Sequence, residues 1–258
     1  MKRIERTYLN FTFGVCVLAA LYLTSQNWKN QLVLQDVKVY DASILTDDEV
    51  KTLADVHAGS RLYGLNLSKI SSRVRQNPFV KEATVVRALP YDLTITVQER
   101  NPLALLALKS SMLSIDEDGI VLPVPLERKN NLPIITNITA QVAVGDTAKD
   151  DLMQAVNFLS EAERFGPAIA ASIDEVQLNE GNLVVFTTAS SLPAVVGKGN
   201  FDRKLLYLQK FLTEIAGRGD ADYYYVDLRF DGQIVLGMQT KGGRPDAVGT
   251  SQTLGKVN

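Results

Sequence analysis

The spacing of apolar residues changes several times along the chain, and each change predicts an element. From Thr7 to Trp28 there is no charged side chain, a run of about 22 residues or ~33 Å of helix, against a hydrocarbon core of ~30 Å. "VLQDVKVY" then alternates as a strand. Thr46 with Glu49 forms a capping-box pattern ahead of a short helix over "DDEVKTLADV". In "LNLSKISSRVRQNP", Leu67, Ile70 and Val74 fall at helical spacing and Pro78 supplies the stop. "VKEATVVRA" and "DLTITVQER" read as two strands joined by "LPYD", with Leu93, Ile95 and Val97 alternating against Thr94, Thr96 and Gln98. Strand, helix, helix, strand, strand makes a small α+β unit with two helices on one face of a three-stranded sheet.

Beyond it the pattern turns to short strands punctuated by Gly, Pro, Asn and Asp: "ALLAL", "SMLSI", "GIVLP", "LPIIT", "SIDEVQL", "NLVVFTT", "LPAVV", "YYYVDLRF" and "QIVLGM". Two helical patterns interrupt them. "DDLMQAVNFLSEAERF" runs to the Gly166-Pro167 stop, and "FDRKLLYLQKFLTEIA" carries Phe201, Leu205, Leu208, Leu212 and Ile215 on one face. Residues 104–240 therefore predict a mostly antiparallel sheet with two helices. In the late hairpin, strict alternation puts Tyr224, Val226, Leu228 and Phe230 on a core face, and Asp231-Gly232 turns the chain back into "QIVLGM". From Gly242 the chain loses periodic apolar residues, so 241–258 is expected to be a disordered tail. The outer side of "QIVLGM" is then expected to be an uncovered sheet edge.

Charge changes the picture at the N-terminus. Lys2, Arg3 and Arg6 crowd the short end before the apolar run, which predicts a cytoplasmic segment 1–6, a membrane-spanning helix 7–28 and an exported remainder. A cleaved signal peptide is the competing reading; "AALYLTSQ" offers no clean small-x-small cleavage site, and Tyr8 and Trp28 frame the run as interfacial residues do. Elsewhere, a formal charge of -2 argues against a nucleic-acid footprint. The one cysteine, Cys16, lies in the apolar run, so no intrachain disulfide is possible.

Candidate chemistry is sparse. The single histidine, His57, falls at the end of the first helix, where the helix dipole accounts for it. Asp116, Glu117 and Asp118 before Gly119 hint at calcium, but an EF-hand loop would then have Ile120 and Val121 at its fifth and sixth positions, where a ligand and a glycine belong. An acidic hairpin turn is the better account. "GKGNFDRK" and "GRGDAD" lack the spacing and the Lys-Ser/Thr of a phosphate loop. No catalytic residue, metal site, cofactor or small-molecule substrate is expected, and the chain is read as a non-enzyme. An anchored extracytoplasmic hydrolase would have to use Ser-Lys or carboxylate chemistry, for which no convergent spacing is visible.

One succession of motifs is specific. "RALPYDLTITVQERNPLA", with Arg87, Pro90, Leu93, Ile95, Val97, Glu99, Arg100, Pro102 and Ala104 at its key positions, closely resembles the end of a POTRA domain in the FtsQ/DivIB family of bacterial division proteins. "NPFVKEATVVR" is similar to the segment before it, with Phe79 for a Trp. "SIDEDGIVL", "FDRKLLYLQKFL" and "YVDLRF" resemble later family motifs in family order. Asp41 stands where the family usually has Gly, which a left-handed turn tolerates.

The resemblance implies a POTRA domain over 34–103 and a β domain over 104–240 behind a single anchor in the bacterial inner membrane, with the N-terminus cytoplasmic and the C-terminus periplasmic. It implies a septal scaffold linking early and late divisome membrane proteins and binding FtsB and FtsL-like proteins. It also implies partner contacts at Arg229, Phe230 and Gly232, with a partner strand added along Gln233, Ile234, Val235, Leu236, Gly237 and Met238. A POTRA module of an outer-membrane insertase or secretion pore is the alternative, but the ~135 residues that follow, interrupted by two helices, cannot supply a transmembrane barrel.

Overall fold

The computed structural model describes residues 13–24, 32–125, 132–215, 223–238 and 251–256. Residues 13–24 form a helix, α1, whose Phe13, Leu18, Leu21, Tyr22 and Leu23 are all exposed. Among the described residues no helix is long and apolar enough to cross a membrane. The ends of the span expected over 7–28 lie outside the described residues.

The chain divides into two units, Met1–Arg100 and Asn101–Asn258. In the first, the elements are β1 (Asp36–Tyr40), α2 (Asp47–Ala54), α3 (Leu67–Val74), β2 (Val80–Ala88) and β3 (Asp92–Glu99). The sheet order is β1-β3-β2, with β1 parallel to β3 and β2 antiparallel to it. Alternation dictates this arrangement: Leu93, Ile95 and Val97 are at most 1% exposed, so β3 takes the centre. The two helices cover that face with Val50, Ala54, Ile70 and Val74, all in one core with Val37 and Val85.

The helix starts follow from local chemistry. Thr46 Oγ1 accepts from the Glu49 N–H at 3.3 Å while the Glu49 carboxylate accepts from the Thr46 N–H at 2.8 Å, so the capping box satisfies two orphan amides reciprocally. The Thr46 amide holds the Glu49 carboxyl below its ordinary range. For α3 the Asn66 side chain accepts from Lys69 N at 3.0 Å. Asp41 has φ 63°, the left-handed turn expected at that position. The β2–β3 hairpin turns through a cis Leu89–Pro90 bond.

Two motif residues tie loops to this sheet. Glu99 accepts from Ser43 N, Ser43 Oγ, Ile44 N and Leu45 N at 2.8 to 2.9 Å. Arg87 donates to the carbonyls of Leu62 (2.9 Å) and Leu65 (2.8 Å) and sits over the Tyr63 ring at 5.3 Å. Both motif residues therefore pin the connections that flank the helices.

The second unit contains β4 (Pro102–Ala107), β5 (Met112–Asp116), β6 (Val121–Leu122), β7 (Ile134–Thr136), α4 (Asp150–Phe165), α5 (Pro167–Ser172) and β8 (Ile173–Asn179). It continues through β9 (Asn182–Thr187), β10 (Ser190–Val195), α6 (Phe201–Ile215), β11 (Tyr223–Asp227), β12 (Gln233–Met238) and β13 (Ser251–Lys256). Among the described residues ten strands form one sheet in the order β13-β12-β11-β10-β9-β8-β7-β4-β5-β6. Consecutive strands joined by turns pair antiparallel, whereas β7·β8 and β10·β11, separated by helices, pair parallel, as crossover connections require. The β5–β6 hairpin between β4 and β7 makes that pair parallel too. Phe158 of α4 meets Phe201 of α6 edge to face, centroids 5.5 Å apart. Phe158, Leu205 and Phe211 are buried with sheet residues such as Val176, Val185 and Val226.

Four expectations are corrected. The first unit ends at Arg100, not 103: Pro102 opens β4 opposite Asp116, and Leu103 lies in the second core. Pro167 does not only stop α4; it also starts α5 at a position where its missing N–H costs nothing, giving three helices among the described residues where two were expected. Tyr224 and Phe230 are 50% and 47% exposed, not core. The register shifts between Tyr223 and Tyr225, so a bulge at Tyr224 puts Tyr223, not Tyr224, against the core. Finally, within the tail expected to be disordered, Ser251–Lys256 is a strand; residues 241–250, 257 and 258 lie outside the described residues.

Candidate functional site

The β11–β12 hairpin gathers every residue expected to meet a partner. At its start Asp227 is 3% exposed and needs a counter-charge, since a lone buried carboxylate is costly. Arg229 supplies one: its Nε donates at 2.9 Å to Asp227 Oδ1 and its Nη2 at 2.6 Å to Oδ2. The Asp227 hydrogen bond raises the Arg229 guanidinium above its ordinary pKa. The stem of Arg229 crosses Gly197, where a Cβ would come within 2.9 Å of Arg229 Cγ. Arg229 is thus held in one orientation by a buried acid and a glycine, with its side chain 47% exposed.

Phe230 projects from the turn. Gly232 has φ 77°, which only glycine adopts freely, and its N–H donates to Tyr207 Oη at 2.9 Å. Tyr207 on α6 is 6% exposed, so the turn is fastened to the helix beneath it. Nearby Lys204 is 8% exposed and donates through Nζ to the Lys198 carbonyl at 2.8 Å. Burial, reinforced by Arg229, pushes its ammonium below the usual lysine range against the pull of Asp231 and Asp227.

Along β12 the alternation is clean. Ile234 and Leu236 are 1% and 2% exposed, while Gln233, Val235 and Gly237 are half-buried on the other face. Ile234 and Leu236 are therefore core residues and can offer a partner only their backbone. Gly237 lies under the Tyr225 ring, where a Cβ would come within 2.7 Å of Cδ1 and 2.8 Å of Cζ. The side chain of Met238 lies outside the described residues.

The outer side of β12 is not open. β13 pairs with it antiparallel, matching Gly237 with Ser251, Leu236 with Gln252, Val235 with Thr253, Ile234 with Leu254 and Gln233 with Lys256. This corrects the expected sheet edge. The sequence signal for β13 was weak: Leu254 is the one large apolar residue in "SQTLGK".

The other candidates stay apart. His57 is 84% exposed, 3.8 Å from Asp55. Gly119, with φ 77°, closes a turn in which the Asp116 side chain accepts from the Ile120 N–H at 2.7 Å, as an acidic hairpin should. Among the described residues no group of three His, Cys, Asp or Glu could hold a metal ion.

Residues 32–100 match the family model for the POTRA domain, FtsQ-type, and residues 104–229 match that for the cell division protein FtsQ/DivIB C-terminal domain. The chain belongs to the FtsQ/DivIB family. It is 29% identical over 234 residues to the cell division protein FtsQ of Salinibacter ruber, covering 86% of this chain and 88% of that one. It is 26% identical to the FtsQ proteins of Geotalea daltonii (79% of this chain, 74% of that one) and Rhodothermus marinus (86% and 84%). By family it is a cell division protein. The matched C-terminal region runs to Arg229, and Phe230, the Gly232 turn, β12 and β13 lie beyond the matched residues.

Proposed function

We propose that this FtsQ/DivIB-family chain is a non-enzymatic scaffold of the division septum, held in the inner membrane by one helix over 7–28 with the N-terminus cytoplasmic and both folded units outside. It binds FtsB and FtsL-like proteins through the β11–β12 hairpin and links them to other divisome membrane proteins. One observation carries the reading: the outer side of β12 is competent for strand addition, because a strand pairs there antiparallel, in continuous register from Ile234 to Gly237. Main-chain bonds along such a strand give affinity, and the side chains of Gln233 and Val235, on the face away from the core, give specificity. Arg229, fixed by Asp227, and the exposed Phe230 flank the same hairpin. A scaffold also accounts for charged groups engaged in architecture, such as Glu99, Arg87 and Arg229, rather than converging on a cavity.

The test is depletion in the native cell with recovery of the tagged chain from membranes. The expected result is filaments without septa and co-purification of the FtsB-like protein, lost when Arg229 and Phe230 are both replaced by Ala. Normal septation on depletion would overturn the scaffold role. Undiminished co-purification of the double variant would overturn the site.

A further inference from the structure

β13 is an odd closing strand. It returns to β12 through residues 239–250, far longer than the two to five residues of an ordinary hairpin loop, whereas β11 reaches β12 through the Phe230–Gly232 turn. Its sequence, Ser-Gln-Thr-Leu-Gly-Lys, includes a glycine and one large apolar residue, a composition poor in the branched and aromatic residues that hold strands by packing. Its partner, by contrast, is anchored in the core through Ile234 and Leu236. The register of β13 also slips between Gln233 and Ile234. A strand of this kind is held chiefly by main-chain hydrogen bonds, which any extended segment can replace, and by its tether, which gives a local concentration on the order of millimolar.

We propose that β13 is an intramolecular stand-in for the partner strand: it caps the outer side of β12 and must be displaced before an extended segment of another chain can add there. The inference rests on the docking reading given above and adds a closed state to it. The partner it fits is a strand-forming segment whose outward contacts exceed those of Ser251–Lys256, because only then does exchange run forward. Closure of this kind answers the hazard of an open edge, which would otherwise recruit any exposed strand. Its cost is that the partner binds only the open fraction, so its apparent affinity falls by that fraction.

The experiment uses the full chain in detergent micelles and, as probe, the extracytoplasmic segment of the FtsB-like protein from the same cell. A chain ending at Thr240 is compared with the intact one. With an open fraction of roughly 1–10% in the intact chain, truncation tightens binding about 10- to 100-fold. A second variant, Val235→Cys with Thr253→Cys in a Cys16→Ser background, places two thiols at opposed antiparallel positions ~4.5–5.5 Å apart at Cα, within disulfide reach. Oxidation should weaken its binding at least tenfold relative to the same protein reduced. If the truncated chain does not fold, by circular dichroism, the redox pair alone decides. Equal binding by intact and truncated chains removes the cap while leaving docking at β12 intact; equal binding by oxidised and reduced pairs, with β13 locked over that strand, overturns strand addition at β12 and the cap with it. Loss of binding on truncation overturns the proposal and makes β13 itself the docking strand. No binding by any form removes the docking reading, and the cap with it.

Discussion

Glu99→Gln should destabilise the first unit far more than a change of one charge at a half-exposed position suggests. Oε2 of Glu99 accepts from Ser43 N, Ser43 Oγ and Ile44 N, and Oε1 from Leu45 N at 2.8 Å. A glutamine keeps one acceptor oxygen. If that oxygen serves the first three donors, the new NH2 faces the amide of Leu45, a residue only 7% exposed. An unpaired buried amide costs about 1–3 kcal/mol, and hydrogen bonds to a charge exceed neutral ones by up to about 1.5 kcal/mol. Discounted for the solvent that reaches Ser43, the sum is about 2–3 kcal/mol. For a unit of this size that is a fall in Tm of roughly 10–20 °C. Thermal unfolding of residues 32–100, followed by circular dichroism, reads it. Acid gives the sign independently. Burial works to raise the Glu99 carboxyl, but the amides of Leu45, Ile44 and Ser43 outweigh it and lower the pKa from 4.5. A lowered folded pKa means that the unfolded chain takes up the proton first. The contribution is therefore complete above the unfolded value and is lost as pH falls through the folded one. The gap between the two proteins should be widest at neutral pH and close below it. A gap under about 2 °C at pH 7, or one that widens in acid, refutes this account.

Two further substitutions probe the hairpin. Tyr207→Phe removes the acceptor of the Gly232 N–H and should cost about 1 kcal/mol, with faster hydrogen exchange at Gly232; unchanged exchange there would show that Tyr207 does not hold the turn. Gly237→Ala pushes its Cβ into the Tyr225 ring, which is 41% exposed and can swing outward. A loss of about 1 kcal/mol should vanish in the background Tyr225→Ala, as a double-mutant cycle measures; additive effects would refute the contact.

Much of this was readable in the chain because it is local. Alternation at Leu93, Ile95 and Val97 gave β3, Thr46 and Glu49 gave the start of α2, and Asp41 could be placed in a left-handed turn. What escaped depends on partners remote in sequence or on a count slipped by one. The bulge at Tyr224 inverts the faces around it without leaving a proline or glycine as a mark. Pro167 looks the same whether it ends one helix or begins another. Glu99 could be recognised as a motif residue, but its reason, the loop at Ser43 to Leu45, lies more than fifty positions away. β13 escaped because its pairing is a property of β12 and not of its own polar sequence.

The chain order of β12 and β13 has a consequence in time. At about 5–20 residues per second, synthesis of residues 239–256 takes roughly one to four seconds, whereas a hairpin closes in microseconds once its second strand exists. Every newly made molecule therefore passes through an interval in which Gln233 to Met238 has been delivered and Ser251 to Lys256 has not. A neighbouring chain within reach during that interval meets every molecule uncapped, whereas among finished molecules it meets only the open fraction, so assembly during synthesis and assembly from finished molecules follow different kinetics.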